Sequence, residues 1–175
     1  MQRIFLAVFL SSLTLYAALA AATQEAPRAD AIYRNENYGY EVTIPLSIKI
    51  RRSVPPNPDH GFEVISVSHA KLWVDASYTD SATNVEEAER QADGCDTSER
   101  RQTSLGGKPA IEIRFSCPGT ANESAYTEFL AFTVQKQGDR ANATYEVGVR
   151  EDSGKLSSHD IELARKLISG FSFTR

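Results

Sequence analysis

From Tyr38 to Pro45 apolar and polar residues take turns, with Tyr40, Val42 and Ile44 on one parity and Glu41 and Thr43 on the other. Successive side chains of an extended chain point to opposite sides, so this alternation predicts a strand with one buried face. Strand-like runs follow at Phe62–Ser68 and Lys71–Tyr78, then at Arg101–Leu105, Pro109–Cys117, Tyr126–Lys136 and Ala143–Glu151. Ser53–Gly61 carries Pro55, Pro56 and Pro58, which cannot donate to a ladder, and is predicted to be a loop. The middle of Thr127–Val134 is apolar on both parities. A strand covered on one face would alternate more cleanly, so this one is placed at the centre of a sheet with layers on both sides.

Two stretches change the period. Thr83 with Glu86 three positions on is a capping-box pattern. Val85, Ala88 and Ala92 then share a helical face, and Asp93-Gly94 supplies a stop. Ser158–Gly170 is the stronger helix. Ile161, Ala164, Leu167, Ile168 and Phe171 form its apolar stripe, with Asp160 and Glu162 in the first turn and Lys166 later, the order the helix dipole favours. Many antiparallel strands with one helix in the middle and one at the end predict an α+β fold. Its expected form is an α/β/α sandwich, a central mostly antiparallel sheet with helices on both faces.

The first residues read MQRIFLAVFLSSLTLYAALAAATQ: one basic residue, an apolar run diluted by Ser11, Ser12 and Thr14, then small residues. This is the pattern of a cleavable secretory signal over residues 1–22, cut after Ala20 or Ala22. The alternative is an uncleaved anchor, since about 20 apolar residues can span a bilayer. Residues 23–31, polar and interrupted by Pro27, read as a flexible leader, and residues 32–175 as a single domain. No second long apolar run follows, so no membrane span is expected after cleavage, and the expected location is periplasmic or secreted. Arg3 is the one charged residue of the signal, which leaves 18 basic against 23 acidic residues. That balance argues against a nucleic-acid partner.

The only two cysteines lie in the segment DGCDTSERRQTSLGGKPAIEIRFSC, Asp93–Cys117. Gly107-Lys108 is followed by proline and a strand, not by Ser or Thr and a helix, so a phosphate loop is excluded. There is no C-x-x-C and no neighbouring histidine, which disfavours a redox or zinc site. A hairpin accounts for the segment: Gly106-Gly107 supplies the positive φ angles of a tight turn between two strands. In an oxidising compartment the pair Cys95–Cys117 is expected to be bonded, contributing about 3 kcal/mol on a chain-entropy estimate; two free thiols are the alternative.

Three stretches resemble the PsbP-like family of exported α/β/α sandwich domains. They are Asn37–Pro45, Leu105-Gly106-Gly107-Lys108-Pro109-Ala110 and Ile168-Ser169-Gly170-Phe171-Ser172-Phe173. Leu46-Ser47 stand where a tryptophan often follows the Ile-Pro segment in that family. The resemblance implies an antiparallel sheet flanked by helices. It also implies an accessory or binding role in association with larger assemblies, rather than a conserved active site.

Candidate chemistry is sparse. No G-x-S-x-G elbow occurs, and in Ser158-His159-Asp160 the side chains diverge, so a serine there is read as a helix cap. Asp59 and His60 with Glu63 are the candidate cation ligands, although Asp-His-Gly after prolines is also ordinary turn chemistry. On the strand Lys71–Tyr78, Trp73 shares parity with His69, Lys71 and Asp75. If that face is open, these four form a contact surface; the favoured alternative is that a helix covers Trp73. No cofactor is expected. The reading is an exported non-enzymatic binding or accessory domain acting through its surface on an envelope protein partner or a small ligand. The alternatives are a small hydrolase around Asp59, His60 and His69, or a metal-responsive module.

Overall fold

The computed structural model describes residues 30–52, 59–65, 68–80, 82–89, 94–121, 123–137, 141–152 and 154–174. The expected signal, most of the leader and the three loop prolines lie outside these residues. Ala31, assigned to the leader from sequence, already pairs with Ile44.

Ten strands among the described residues form two antiparallel sheets. The smaller places β2 (Tyr40–Ile44) between β1 (Ala31–Asn35) and β10 (Phe171–Phe173). The larger contains β3 (Ile50–Arg52), β4 (Gly61–Val64), β5 (Lys71–Thr79), β6 (Asp96–Leu105), β7 (Lys108–Cys117), β8 (Tyr126–Gln137) and β9 (Ala141–Asp152). Its order is β3-β4-β5-β9-β8-β7-β6. The helices are α1 (Val85–Ala88) and α2 (Ser158–Gly170).

The expected α/β/α sandwich does not form; the protein is mostly β, a second sheet stands where a helical layer was expected, and a single helical turn is all the helix described on the other face. One face of the large sheet is covered by the small sheet together with α2. Tyr33, Tyr40, Val42 and Phe171 of the small sheet meet Val74, Tyr145, Val147 and Val149 of the large one, and Ala164 and Leu167 enter from α2. β3 and β10, three residues each, are too short to show a period of two, and β1 breaks the alternation with Ile32 exposed and Asn35 buried. Phe171, expected on the helical stripe, has extended backbone instead (φ −79°, ψ 135°); it caps α2 and opens β10.

On the opposite face α1 is a single turn. Its N-cap is Asn84, whose side chain accepts from the Glu87 amide, while the Glu87 carboxylate accepts from the Thr83 amide and hydroxyl at 2.6 and 2.9 Å. The cap therefore sits one residue later than the expected Thr83–Glu86 pair; Ala92 and Asp93 lie outside the described residues. α2 keeps its expected bounds, with Ser157 and Asp160 as a reciprocal capping box.

The β6–β7 hairpin turns at Gly106 (φ 57°) and Gly107 (φ 79°), in the region that favours glycine. Cys95 and Cys117 are bonded, with Cα atoms 4.4 Å apart, and tie the start of the hairpin to its end. β8 lies between β9 and β7, with residues 129–133 all buried, as its two-sided apolar pattern requires. Glu112 is buried (side chain 3% exposed) and held by Arg101 at 2.7 Å and Arg165 at 2.8 Å, which couples α2 to the hairpin. Among the described residues no helix is long and apolar enough to cross a membrane.

Candidate functional site

Register decides what surrounds Trp73. Across the β5–β9 ladder Lys71 faces Arg150, Trp73 faces Gly148 and Asp75 faces Glu146. Across β8–β9 Glu128 faces Arg150, Leu130 faces Gly148 and Phe132 faces Glu146. Side chains alternate along a strand, so all of these share the α1-bearing face. The indole lies across Gly148: a β-carbon at that position would fall within the van der Waals envelope of its ring atoms. Its Nε1–H donates to Glu146 Oε1 at 2.8 Å. One ring edge reaches the apolar cluster of Ile111, Ile113, Leu130 and Phe132, on which Ala82 and Val85 also pack. α1 itself packs on β8. Trp73 is therefore half-buried, forming the rim of that cluster, in a state between the open and covered alternatives.

Three half-buried carboxylates share this face with the indole, Asp75, Glu128 and Glu146, and the exposed Glu63 faces Trp73 across the β4–β5 ladder. Burial raises the pKa of Asp75, an effect that His60 opposes. Burial also raises Glu146, partly offset by the indole hydrogen bond. Glu128 is pushed up to about 7, first by burial and then by the negative charge of Glu146, with Arg150 pulling the other way. The nearby cations are already engaged. Arg150 lies over the Tyr126 ring, 3.6 Å from its centre, and pairs with Glu123 and Asp152, each at 2.7 Å. Lys71 pairs with Asp152 at 3.1 Å. Among the described residues no ion pair includes Asp75, Glu128 or Glu146.

Beside Trp73 a cleft of about 320 Å³ runs toward the β3–β4 edge, with Arg51, Glu63, Ile65, His69 and Lys71 around it. Arg51 and Glu63 are an exposed ion pair, and Ile65 presents an exposed side chain. The structure thus brings Trp73, His69 and Lys71 together at one opening, with Asp75 farther along the same face of β5.

The candidate cation ligands are placed apart. Asp59 accepts from the Tyr33 hydroxyl at 2.7 Å, and its backbone carbonyl accepts from Asn35 at 2.8 Å. The His60 ring is 5.5 Å from that of Tyr38, and its Nδ1 sits 2.8 Å from the Ala76 carbonyl. Glu63 faces the Trp73 cleft instead. Among the described residues no group of three or more His, Cys, Asp or Glu is arranged to hold a metal ion. The histidines of the hydrolase alternative separate in the same way, His60 against Tyr38 and His69 in the cleft.

Sequence reasoning missed Glu128, Glu146 and Gly148. The available signal was Gly148, the one glycine inside the strand-like run Ala143–Glu151; a glycine inside a strand often marks a close approach from a neighbour.

No family model matches the chain, and no curated protein sequence does. Solved structures do match in fold. LpqN of Mycobacterium tuberculosis, described as involved in cell envelope biogenesis, superposes with a TM-score of 0.56 at 12% identity, over 86% of this chain and 88% of its own. The Saccharomyces cerevisiae Ran-binding protein Mog1p gives 0.56 at 8% identity, over 83% and 95%. The cyanobacterial PsbP of Synechocystis gives 0.51 at 12% identity, over 88% and 98%. At these identities the likeness is one of fold, and that fold is PsbP-like.

Proposed function

We propose that this chain is an exported, non-enzymatic binding domain that engages its partner through the Trp73 face and the adjoining cleft. One observation carries the reading. The chain's single tryptophan is seated over Gly148, half open to solvent, at the mouth of a cleft with charged groups on its rim. Aromatic anchors beside a polar rim are what contact surfaces use, because an indole contributes large area at small conformational cost. The signal-like start over residues 1–22 supports export. Two proteins sharing the fold point the same way: one is described as involved in cell envelope biogenesis, the other as Ran-binding.

The test is a paired capture from the native envelope fraction, with the mature domain and its Trp73→Ala and Lys71→Glu variants as baits. Species retained by the wild type and lost from both variants, at unchanged circular dichroism, support the reading. Identical retention by all three baits overturns it.

A further inference from the structure

We infer that the Trp73 face is a proton-operated charge switch, in which protonation of Glu128 is relayed to the indole through Glu146. The inference rests on the binding reading only for its use; the chemistry stands on the geometry of the face. Glu128 and Glu146 project from adjacent strands on the same side, and the row Trp73–Gly148–Leu130 lies between them. Glu146 is the acceptor of the indole N–H, so a change in charge near Glu146 acts on the indole's one hydrogen bond. The floor beside them is apolar, made by Ile113 and Leu130, which limits water's ability to screen one carboxylate from the other.

Titratable and charged groups face this patch from every element around it. His69, just before β5, lines the cleft beside Trp73, Glu63 of β4 faces Trp73 across the ladder, and Tyr126 of β8 lies under Arg150 and feels the charge of Glu128. β5 contributes Lys71, held by Asp152, and Asp75, which adds negative charge to Glu146. β9 contributes Arg150, shared between Glu123 and Asp152 and the one cation that opposes proton uptake at Glu128. β3 and β4 contribute the mutually paired Arg51 and Glu63. From the α1 turn, Glu87 closes on Thr83, and Glu86 acts on Arg100 of β6, which Glu89 also holds. β7 presents Ile111, Ile113 and Phe115 on this face. Behind the sheet His60 tempers Asp75. Glu128 therefore lacks an ion-pair partner among the described residues. Burial first, then the negative charges of Glu146 and Glu123, raise its pKa to about 7 against the pull of Arg150, so it takes up its proton near neutrality. Above that pH the face carries a repelling group of carboxylates around Trp73; below it, the group loses charge.

Trp73 is the chain's only tryptophan, so its emission reads the face directly. The mature protein is titrated from acid to alkaline pH with no partner present, and circular dichroism verifies the fold at each point. The expected result is a step in emission with a midpoint near 7. Glu128→Gln removes this step. Glu146→Gln, which keeps an acceptor for the indole, moves the midpoint to lower pH by removing the repulsion. His69→Gln, which removes the imidazole from the cleft, and Glu162→Gln, on the outer face of α2, both leave it in place. A single step in the ordinary carboxylate range, or a neutral step that survives Glu128→Gln, overturns the switch. If Glu128→Gln fails to fold, an unshifted midpoint in Glu146→Gln overturns it instead. Because no partner is present, this outcome is independent of the capture experiment, and either reading can fail alone.

Discussion

Gly148→Ala tests the geometry of the site without touching a charged or aromatic residue. A methyl group at 148 would overlap the carbons of the Trp73 ring, so the indole must lift or rotate. Inserting a methyl into a packed contact typically costs about 1–3 kcal/mol. Lifting the ring also breaks the 2.8 Å bond to Glu146. A hydrogen bond to a charged group contributes about 1.5–3 kcal/mol when buried, and the half-exposed position here keeps that loss at the lower end because water can replace the donor. The two losses overlap, since the same ring movement relieves one and causes the other. The expected destabilisation is about 2 kcal/mol, or about 4–8 °C in melting temperature for a domain of this size. Urea unfolding followed by circular dichroism measures the first, and the emission maximum of Trp73 measures the displacement. The reasoning predicts a lower midpoint together with red-shifted emission. An unchanged emission maximum would show that the indole does not rest on Gly148, whatever happens to stability.

Three further outcomes are expected. Leu167→Asp should prevent folding, because Leu167 is 0% exposed in the main core and the new carboxylate would be buried without a cation; a cooperative melt at the wild-type temperature would contradict the core assignment. Reducing the Cys95–Cys117 bond, which closes 22 residues of chain, should cost about 3 kcal/mol, read as a drop in urea midpoint with reductant. Stability should also depend on pH through Glu128, whose folded value of about 7 exceeds its ordinary 4.5. The folded state binds this proton more tightly than the unfolded chain, so the contribution is full below about 4.5 and is lost as pH rises through about 7. Discounted for solvent exposure, the effect is about 1–2 kcal/mol. Glu128→Gln should therefore match the wild type at pH near 4.5 and exceed it by that amount at pH near 8, and a gap independent of pH would refute the assignment.

What the sequence revealed and what it hid divide along chain separation. The β6–β7 hairpin and its disulfide were legible because Gly106-Gly107 and both cysteines lie within one short segment, where turn chemistry dictates the pairing. α2 was legible because thirteen residues give its apolar stripe more than three turns to repeat. The small sheet was not legible. Its β2–β10 pairing sets Glu41 opposite Ser172, 131 positions away, and three residues of β10 carry no measurable period. The middle helix rested on the Thr83–Glu86 capping pattern and the shared face of Val85, Ala88 and Ala92, a short local signal. The single turn of α1 shows how little helix that signal supports.

The site follows the same rule, with one instructive exception. Period-two reasoning placed Lys71, Trp73 and Asp75 on one face, which needs nothing beyond the strand itself. It could not say what lay beside them, because the neighbouring strand β9 comes 73 residues later at the Trp73–Glu146 contact. Yet β9 carries its own mark. Tyr145, Val147 and Val149 fill the core parity, while the other parity reads Glu146, Gly148, Arg150. A glycine flanked by charges on the outward parity leaves a gap with polar walls, and a large aromatic residue on a neighbouring strand can fill it. Trp73 has the complementary pattern, one ring between Lys71 and Asp75. Set opposite one another, the two strings specify the register: only the alignment of Trp73 with Gly148 seats the ring, and that alignment brings Asp75 beside Glu146 and Lys71 beside Arg150, each pair alike in charge. Like charges directly opposed are unfavourable on a sheet. The register is therefore held against its own electrostatics by the fit of the indole and by the core on the reverse face, and this leaves an unneutralised group of carboxylates around the tryptophan.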